Sequence, residues 1–426
     1  MAGFANLRHN RDFTLLWTGQ TISELGSRIS LFVFPLLAYA ITGSTLWAAV
    51  AEAAHLVGLV AVLLPAGVLA DRTDRRRLMR TASGSGSLLY ASLVVAAFTG
   101  GITLPHLLAV ATLTGAGAGL FMPAEISSVR SVVADDDLPT ALAQNQARQH
   151  VAGLVGGPLG GALFGLARWL PFVVDAVSYA ASWFLIGRIR TDLSRPVRDD
   201  GEPPAGVWVS LREGFRFILD RPLFRVLMVF SASCNLLINA IIFLAVLRLI
   251  EAGFDPVQIG LVETASGLFG ILGAIAAPWI ITRMRTGSLT IATAWSWVPL
   301  AVPLAFWNDP LVVAAAISAG LFLNPAGNAG MGAYRMAVTP ATLQGRVQST
   351  TQFASMAVMP LAPVLAGGLL AWLGGATAFT VLGVLTALCA LIPTLSRSVR
   401  AIPKPAVWQA ELARPEAPRE ASLMIS

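Results

Sequence analysis

Residues 46–77 read LWAAVAEAAHLVGLVAVLLPAGVLADRTDRRR. Positions 46–70 carry only Glu52 and His55 as ionisable groups, whereas 71–77 carry Asp71, Arg72, Asp74, Arg75, Arg76 and Arg77. A helix rises about 1.5 Å per residue, so the apolar part is long enough to cross a hydrocarbon core about 30 Å thick. The basic part ends it in the manner of a cytoplasmic loop. The same alternation runs the length of the chain. Apolar helices are expected near 13–40, 46–70, 78–99, 105–129, 141–166 and 170–188, and again near 224–249, 257–281, 288–307, 310–332, 346–372 and 376–395. Composition agrees: 55% of residues are hydrophobic and 12% charged, with mean hydropathy +0.70, about half the charge of a soluble domain. The expected fold is therefore all-α and integral to the membrane, with twelve transmembrane helices in two six-helix parallel repeats.

Net charge is +6, but the arginines sit in short loops between spans rather than in a free patch. That excludes a nucleic-acid partner and sets topology instead. Arg72, Arg75, Arg76, Arg77, Arg130, Arg283, Arg285, Arg335 and Arg346 fall on one side with the central connection, while loops 41–45, 100–104 and 373–375 carry no basic residue. Arg168 and Arg248 are the exceptions. Both termini are expected in the cytoplasm of a multi-pass protein of the bacterial inner membrane. Met1 to Asn10 contains no apolar core or cleavage site, so no removable signal is expected. The chain divides into an N-terminal six-helix bundle (1–190), a cytoplasmic linker (191–221), a C-terminal bundle (222–396) and a disordered cytoplasmic tail (397–426). Thr191 to Gly206 reads as solvated, and Leu211 to Ile218 as a short amphipathic helix on the membrane surface. Cys234 and Cys389 lie within apolar runs and read as packing residues.

The halves repeat. Phe13 and Phe224, Glu52 and Glu263, and Arg72 and Arg283 are each separated by 211 positions (224 − 13, 263 − 52, 283 − 72). Ala118-Gly119-Leu120-Phe121 returns as Ala319-Gly320-Leu321-Phe322, at an offset of 201. Two halves in the same orientation imply parallel repeats, an arrangement suited to alternating access around a central site.

The loop Gly67-x-x-x-Asp71-Arg72, followed by Arg75, Arg76 and Arg77, closely resembles the signature of the major facilitator superfamily. Within it, the first half looks like the macrolide-efflux and enterobactin-exporter branch. The matching stretches are Asn10-Arg11-Asp12-Phe13, Leu16-Trp17-x-Gly19-Gln20-x-x-Ser23-x-x-Gly26, Met122-Pro123-Ala124 and Asp175-Ala176-x-Ser178-Tyr179. The likeness covers about residues 8–190 well and the second half loosely. It implies that Gly67 lets helix 2 approach a neighbour closely and that Asp71 accepts arginine hydrogen bonds in a cytoplasmic latch. Asp74 stands where many relatives have glycine, Ser27 where many have aspartate, and Ala111 near where other branches carry a helix-4 arginine. Gly153, Gly156, Gly157, Pro158, Gly160 and Gly161 are similar to the superfamily's antiporter signature in helix 5, one residue short, and imply a bendable helix.

Charge within a span is costly, so each intramembrane ionisable group is a candidate for the proton or substrate pathway. Glu24 and Arg28 lie one turn apart and can pair. Glu52 and His55 share a face of helix 2. Glu125, Asp175 and Glu263 complete the set. Glu52 and Glu263 occupy equivalent repeat positions, and His55 can share a proton with Glu52. Trp295 and Trp297, with Asn235, Asn239, Asn324 and Asn328, offer an amphipathic lining. No Walker loop, zinc-protease or nucleophile-elbow motif is present, so neither an ATPase nor an enzyme is indicated, and no cofactor or metal is called for. The sequence reads as a secondary transporter, expected to be monomeric in the bilayer, exporting a hydrophobic or amphipathic small molecule (an antibiotic, drug, siderophore or secondary metabolite) by proton antiport. An uptake transporter or lipid flippase of the same fold is the alternative.

Overall fold

A computed structural model of the protein describes residues 7, 10–194, 207–340 and 343–412, apart from the side chains at 64, 68, 71, 72, 135, 139, 207–210, 411 and 412. Among the described residues there is helix and no strand. The helices are α1 (Arg11–Thr42), α2 (Thr45–Arg72), α3 (Arg75–Thr99), α4 (Leu104–Val132), α5 (Leu138–Leu166), α6 (Leu170–Gly187), α7 (Val207–Leu219), α8 (Pro222–Glu251), α9 (Pro256–Arg283), α10 (Thr286–Trp295), α11 (Ala301–Phe306), α12 (Pro310–Phe322), α13 (Asn324–Ala337), α14 (Gln344–Ala357), α15 (Leu361–Leu373), α16 (Gly375–Leu395), α17 (Arg397–Arg400) and α18 (Pro405–Leu412).

Ten stretches among the described residues are long and apolar enough to cross a membrane. The other two expected spans coincide with α5 and with α10–α11. The first half of α5 carries Gln144, Asn145, Gln146, Arg148, Gln149 and His150, too polar to pass on hydropathy alone. The 288–307 span is broken by a turn at 296–300.

Local chemistry sets the helix starts. Asn10 Oδ1 accepts from Phe13 N at 3.0 Å and begins α1, while its Nδ2 donates to Val132 O of α4 at 2.6 Å. Asp74 caps α3 by accepting from Arg76 N at 2.9 Å. Asp309 caps α12, accepting from Leu311 N at 2.8 Å. Such caps satisfy amides that the first turn leaves open.

The chain forms two compact units, residues 1–203 with 250–264, and residues 204–249 with 265–426. In the first, α2 and α4 make the most extensive pairing. Gly58 faces the Thr112 carbonyl, Gly115 the His55 carbonyl and Gly119 the Leu59 carbonyl, each where a Cβ would collide with backbone. Small residues from both helices thus allow their backbones to touch. In the second unit Gly273 of α9 meets the Phe322 carbonyl of α12 in the same way.

The repeat is visible in the backbone as well. After α6 the chain turns back so that Leu193 O accepts from Arg75 N at 3.4 Å, and after α17 Pro403 O accepts from Thr286 N at 3.1 Å. The donors are 286 − 75 = 211 positions apart, the offset found in the sequence.

Three boundary expectations change. The tail, expected to be disordered, packs through α18: Trp408 is 5% exposed, lies edge-on to Tyr334 at 5.6 Å, and donates through Nε1 to Thr286 Oγ1 at 3.4 Å. An indole buried this fully stabilises a segment whose prolines read as disordered; residues 413–426 lie outside the described residues. Residues 191–194 are not solvated linker. Asp12 accepts from Arg190 N, Thr191 N and Thr191 Oγ1 at 3.0, 2.7 and 2.7 Å, and Leu193 is buried; 195–206 lie outside the described residues. The amphipathic linker helix forms as α7 but docks on protein rather than lying on a membrane surface. Its Phe217 stacks edge-on to Phe224 at 5.2 Å, Gly214 fits against Thr350 of α14, and Glu213 pairs with Arg346.

Candidate functional site

Glu52 stands seven residues into α2 (52 − 45) and Glu263 seven into α9 (263 − 256), and both belong to the first unit. The structure brings them together. Glu263 and Arg28 are the charged groups whose fields act on Glu52, and Arg28 acts on Glu263 as well. Arg28 Nε also donates to Glu24 Oε1 at 3.1 Å. Glu24 is therefore the direct partner of Arg28, while Glu52 and Glu263 lie within its electrostatic reach; with all four groups ionised the set carries a formal charge of −3 + 1 = −2.

Two adjacent glycines of α5 make room for it. Gly156 faces the Arg28 stem, and a Cβ at Gly157 would stand 2.7 Å from Glu263 Oε2. Gly157 also meets Gly260 of α9 backbone to backbone, Gly161 meets the Pro256 carbonyl, Gly160 faces the Ile29 carbonyl of α1, and Thr264 Oγ1 donates to Leu154 O at 2.5 Å. The helix-5 glycines are thus crossing points for α1 and α9, with Pro158 inside a continuous helix. Gly153 has open space about its Cβ position and plays no part in this packing. His55 does not join Glu52: its ring lies 6.3 Å from Phe34, and among the described residues no hydrogen bond links the two. Three residues along a helix is one turn, but the ring turns toward α4 and Phe34.

Asp175 is fully buried between α1, α3 and α6. Ser178 Oγ donates to its Oδ1 at 3.4 Å, and Gly26 leaves the gap that its carboxyl and the Ser178 hydroxyl fill. Around it run further polar contacts: Gln20 Nε2 to Ser182 Oγ at 3.2 Å, Ser27 Oγ with the Tyr179 hydroxyl at 2.9 Å, and a Phe34–Tyr90–Phe172 stack with centroids 6.2–6.3 Å apart. These contacts form an interhelical polar and aromatic network around Asp175.

One charged residue is not singled out by the sequence. Arg148 of α5 is 5% exposed and donates through Nη2 to Glu125 Oε1 of α4 at 2.7 Å. The available signal is an arginine seven residues into the 141–166 span. It is masked by the polar run around it, which resembles a loop edge.

At the basic loop, no atom of the described residues lies within 4 Å of a Cβ placed on Gly67, whereas Gly58, nine residues earlier, is in close contact with α4. The side chains of Asp71 and Arg72 lie outside the described residues. Arg75 is buried and ties α3 to α4, donating to Ser131 Oγ at 3.1 Å, to Ser127 O at 3.4 Å and to Ala70 O at 3.3 Å. Arg76 Nη2 donates to Thr191 O at 2.6 Å. Asp74 ends the loop as the cap of α3.

A paired six-helix plan with a basic 2–3 loop and carboxylates inside the helices has a counterpart among known families. The sequence profile of the Major Facilitator Superfamily matches residues 16–294 and 229–423. The chain belongs to the Major Facilitator Superfamily. It is 25% identical over 354 residues to the multidrug efflux pump Tap of Mycolicibacterium fortuitum, covering 81% of this chain and 85% of that protein. Among solved structures, the nucleoside transporter NupG superposes with TM-score 0.70 at 10% identity, over 92% of this chain and 99% of that one. A bacterial homolog of the human lysosomal transporter Spinster gives TM-score 0.70 at 14% identity, over 96% and 99%.

In this superfamily member the described polar groups on the helices of the second unit are amides, hydroxyls, indoles and arginines rather than carboxylates, apart from Glu213 of α7. Trp297 is a core residue, 1% exposed with Gly320 against its ring, and Trp295 Nε1 donates to Thr394 Oγ1 at 3.0 Å. Asn239 Nδ2 donates to Asn235 O at 2.8 Å, and Asn328 Nδ2 to Asn324 Oδ1 at 3.0 Å. These amides bond along their own helices; Trp297 is withdrawn from the amphipathic lining.

Proposed function

We propose that this major facilitator transporter exports an amphipathic small molecule in exchange for protons, across a bacterial cell membrane with both termini inside. The observation that carries the reading is the cluster of Glu24, Glu52 and Glu263 about the single Arg28. A group of charges that reaches neutrality by taking up protons couples proton binding to the packing of the three helices that supply it. Protons enter from outside, neutralise the carboxylates at the α2 and α9 starts, and leave inside once the substrate has been carried out. Glu52 and Glu263 are the coupling groups, Arg28 their shared counter-charge, and the Gly156–Gly157 notch holds Arg28 and Glu263 in place. Arg75 and Arg76 hold the loop after α2 to α4 and to the segment following α6, and Asp71 with Arg72 form the latch at the same end. The efflux activity named for the Tap relative favours export over uptake.

Purified protein reconstituted in proteoliposomes and loaded with ethidium tests this. An imposed pH gradient should drive ethidium movement against its gradient in the wild type, with protons moving in counterflow. Uptake in the same direction as protons, or transport indifferent to the gradient, would sink the reading. Single cysteines at 73, 192 and 284 should be shielded from an impermeant thiol reagent in intact cells; labelling from outside would reverse the orientation.

A further inference from the structure

Arg148 is satisfied on one side only. Nη2 holds Glu125, whereas Nε and Nη1 are buried with no acceptor among the described residues. A buried donor without a partner is destabilising, and guanidinium N–H groups can only donate. Arg148 is distinguished by having two such atoms, Nε and Nη1, where Arg76, Arg80 and Arg335 each have one, so its fork has two donors to offer an acceptor. Beside it, Gln146, Gln149 and His150 stand outside the packed interior of α5, with Gln146 Nε2 and His150 Nε2 3.3 Å apart. A strip of amides and imidazole on a helix of a membrane transporter does not face lipid; it borders water or a ligand-bearing space.

Charge decides what the acceptors belong to. Glu125 and Arg148 already sum to zero, and Glu24 of α1 adds a negative field at Glu125. An anionic occupant would leave the site with an uncompensated negative charge, and a cation would face donors it cannot use. We propose that Glu125–Arg148 and the polar first half of α5 form a binding site for the head of an amphipathic substrate whose hydrogen-bonding groups are neutral oxygens, such as hydroxyls, carbonyls and ethers. Glu125 holds one arm of the guanidinium fork so that the other N–H groups are aimed at the ligand. This deepens the transporter reading and rests on it for the statement that the bound molecule is carried; its own pair, Glu125–Arg148, is distinct from Glu52 and Glu263, although Glu24 lies within electrostatic reach of Glu125.

Equilibrium binding to the full-length protein in lipid nanodiscs, with no gradient, tests it. Three probes share one fluorescent body: dansyl galactoside (neutral, hydroxyl-rich), dansylglycine (carboxylate) and dansylcholine (quaternary ammonium). Dansyl galactoside should bind tightest. R148K keeps the charge but loses the fork and should weaken that binding about tenfold or more at unchanged thermal unfolding temperature. The double variant E125Q/R148Q, which leaves no buried unpaired charge, should lose the same affinity and decides the matter if R148K does not fold. Three outcomes overturn the proposal: wild-type affinity in the folded variants, meaning that water alone fills the site; tighter binding of the carboxylate or ammonium probe; or no binding of any probe by the wild type. Because no proton moves in this experiment, normal probe binding with absent proton-driven transport would count against the coupling reading and not against this site.

Discussion

The two units are built on one repeated plan and differ in where they keep their charge. The first contains Glu24, Arg28, Glu52, Glu125, Arg148, Asp175 and Glu263 on its helices, most of them buried or half-buried. In the second, positions 222–249 hold no carboxylate and positions 265–396 hold only Asp309, which caps α12. Its arginines serve helix ends: Arg248 Nη1 donates to Leu304 O at 2.6 Å and its own carbonyl accepts from Asn308. Even the carboxylate that the second repeat supplies, Glu263, belongs to the compact unit formed by the first. Equivalent backbones have thus been given unequal work. Charge gathered on one side can share counter-ions and take up protons as a group; charge dispersed to helix ends supports packing alone.

The sharpest way to break that comparison is at Glu52 and Glu263, the carboxylates proposed to couple. Glu52→Gln should lower proton-driven efflux on the order of 10²-fold, the scale of a lost proton-transfer group, with substrate exchange in the absence of a gradient retained. If Glu52→Gln and Glu263→Gln both transport at wild-type rates in proteoliposomes, charge asymmetry between the units has no part in coupling. Second in size is the buried pair. Arg148→Ala strands Glu125 and should destabilise the protein by about 3–5 kcal/mol, while E125Q/R148Q should cost much less; thermal unfolding in detergent separates them. Equal losses would mean that packing, not charge, dominates there.

Next are two tests that treat the units alike. Trp408→Ala removes the indole that fastens the chain end to the second unit and should cost about 3 kcal/mol, seen as a fall in unfolding temperature and protease cleavage after α16. Gly26→Ala drives a methyl into the Asp175 carboxyl and should cost about 1–3 kcal/mol, whereas Gly67→Ala and Gly153→Ala, with open space at their Cβ positions, should be near neutral in unfolding temperature. A loss at Gly67 comparable to that at Gly26 would restore the close-approach role that the loop signature implies. The smallest effect belongs to Arg346→Ala: its pairing with Glu213 is roughly two-fifths exposed, and such pairs contribute about 0.2–1 kcal/mol.

Periodic apolarity makes most of the helices legible, because a bilayer leaves the backbone no other way to satisfy its hydrogen bonds. It fails at α5, where the polar run 144–150 lowers hydropathy, and at 296–300, where a turn interrupts an apolar run. The Glu52–Glu263 equivalence can be read from the 211-residue offset, but the offset cannot say that both lie within the field of Arg28. Arg148 escapes notice because a cation near a span's end reads as topology. The tail misleads because proline counts say nothing of what one tryptophan finds to pack against.

The sequence alone determined the solvent, the helix count to within the two interrupted cases, the repeat and the family, since each follows from local composition or from spacing along the chain. Only the tertiary structure decided which charges are neighbours. It set Arg28 within electrostatic reach of Glu52 and Glu263, paired Glu125 with Arg148, buried Asp175 beside Ser178, and turned His55 toward Phe34. Those choices depend on how helices rotate about their own axes and where glycines let them cross, and a difference of one or two residues in facing carries a side chain from a shared site into the bundle's interior.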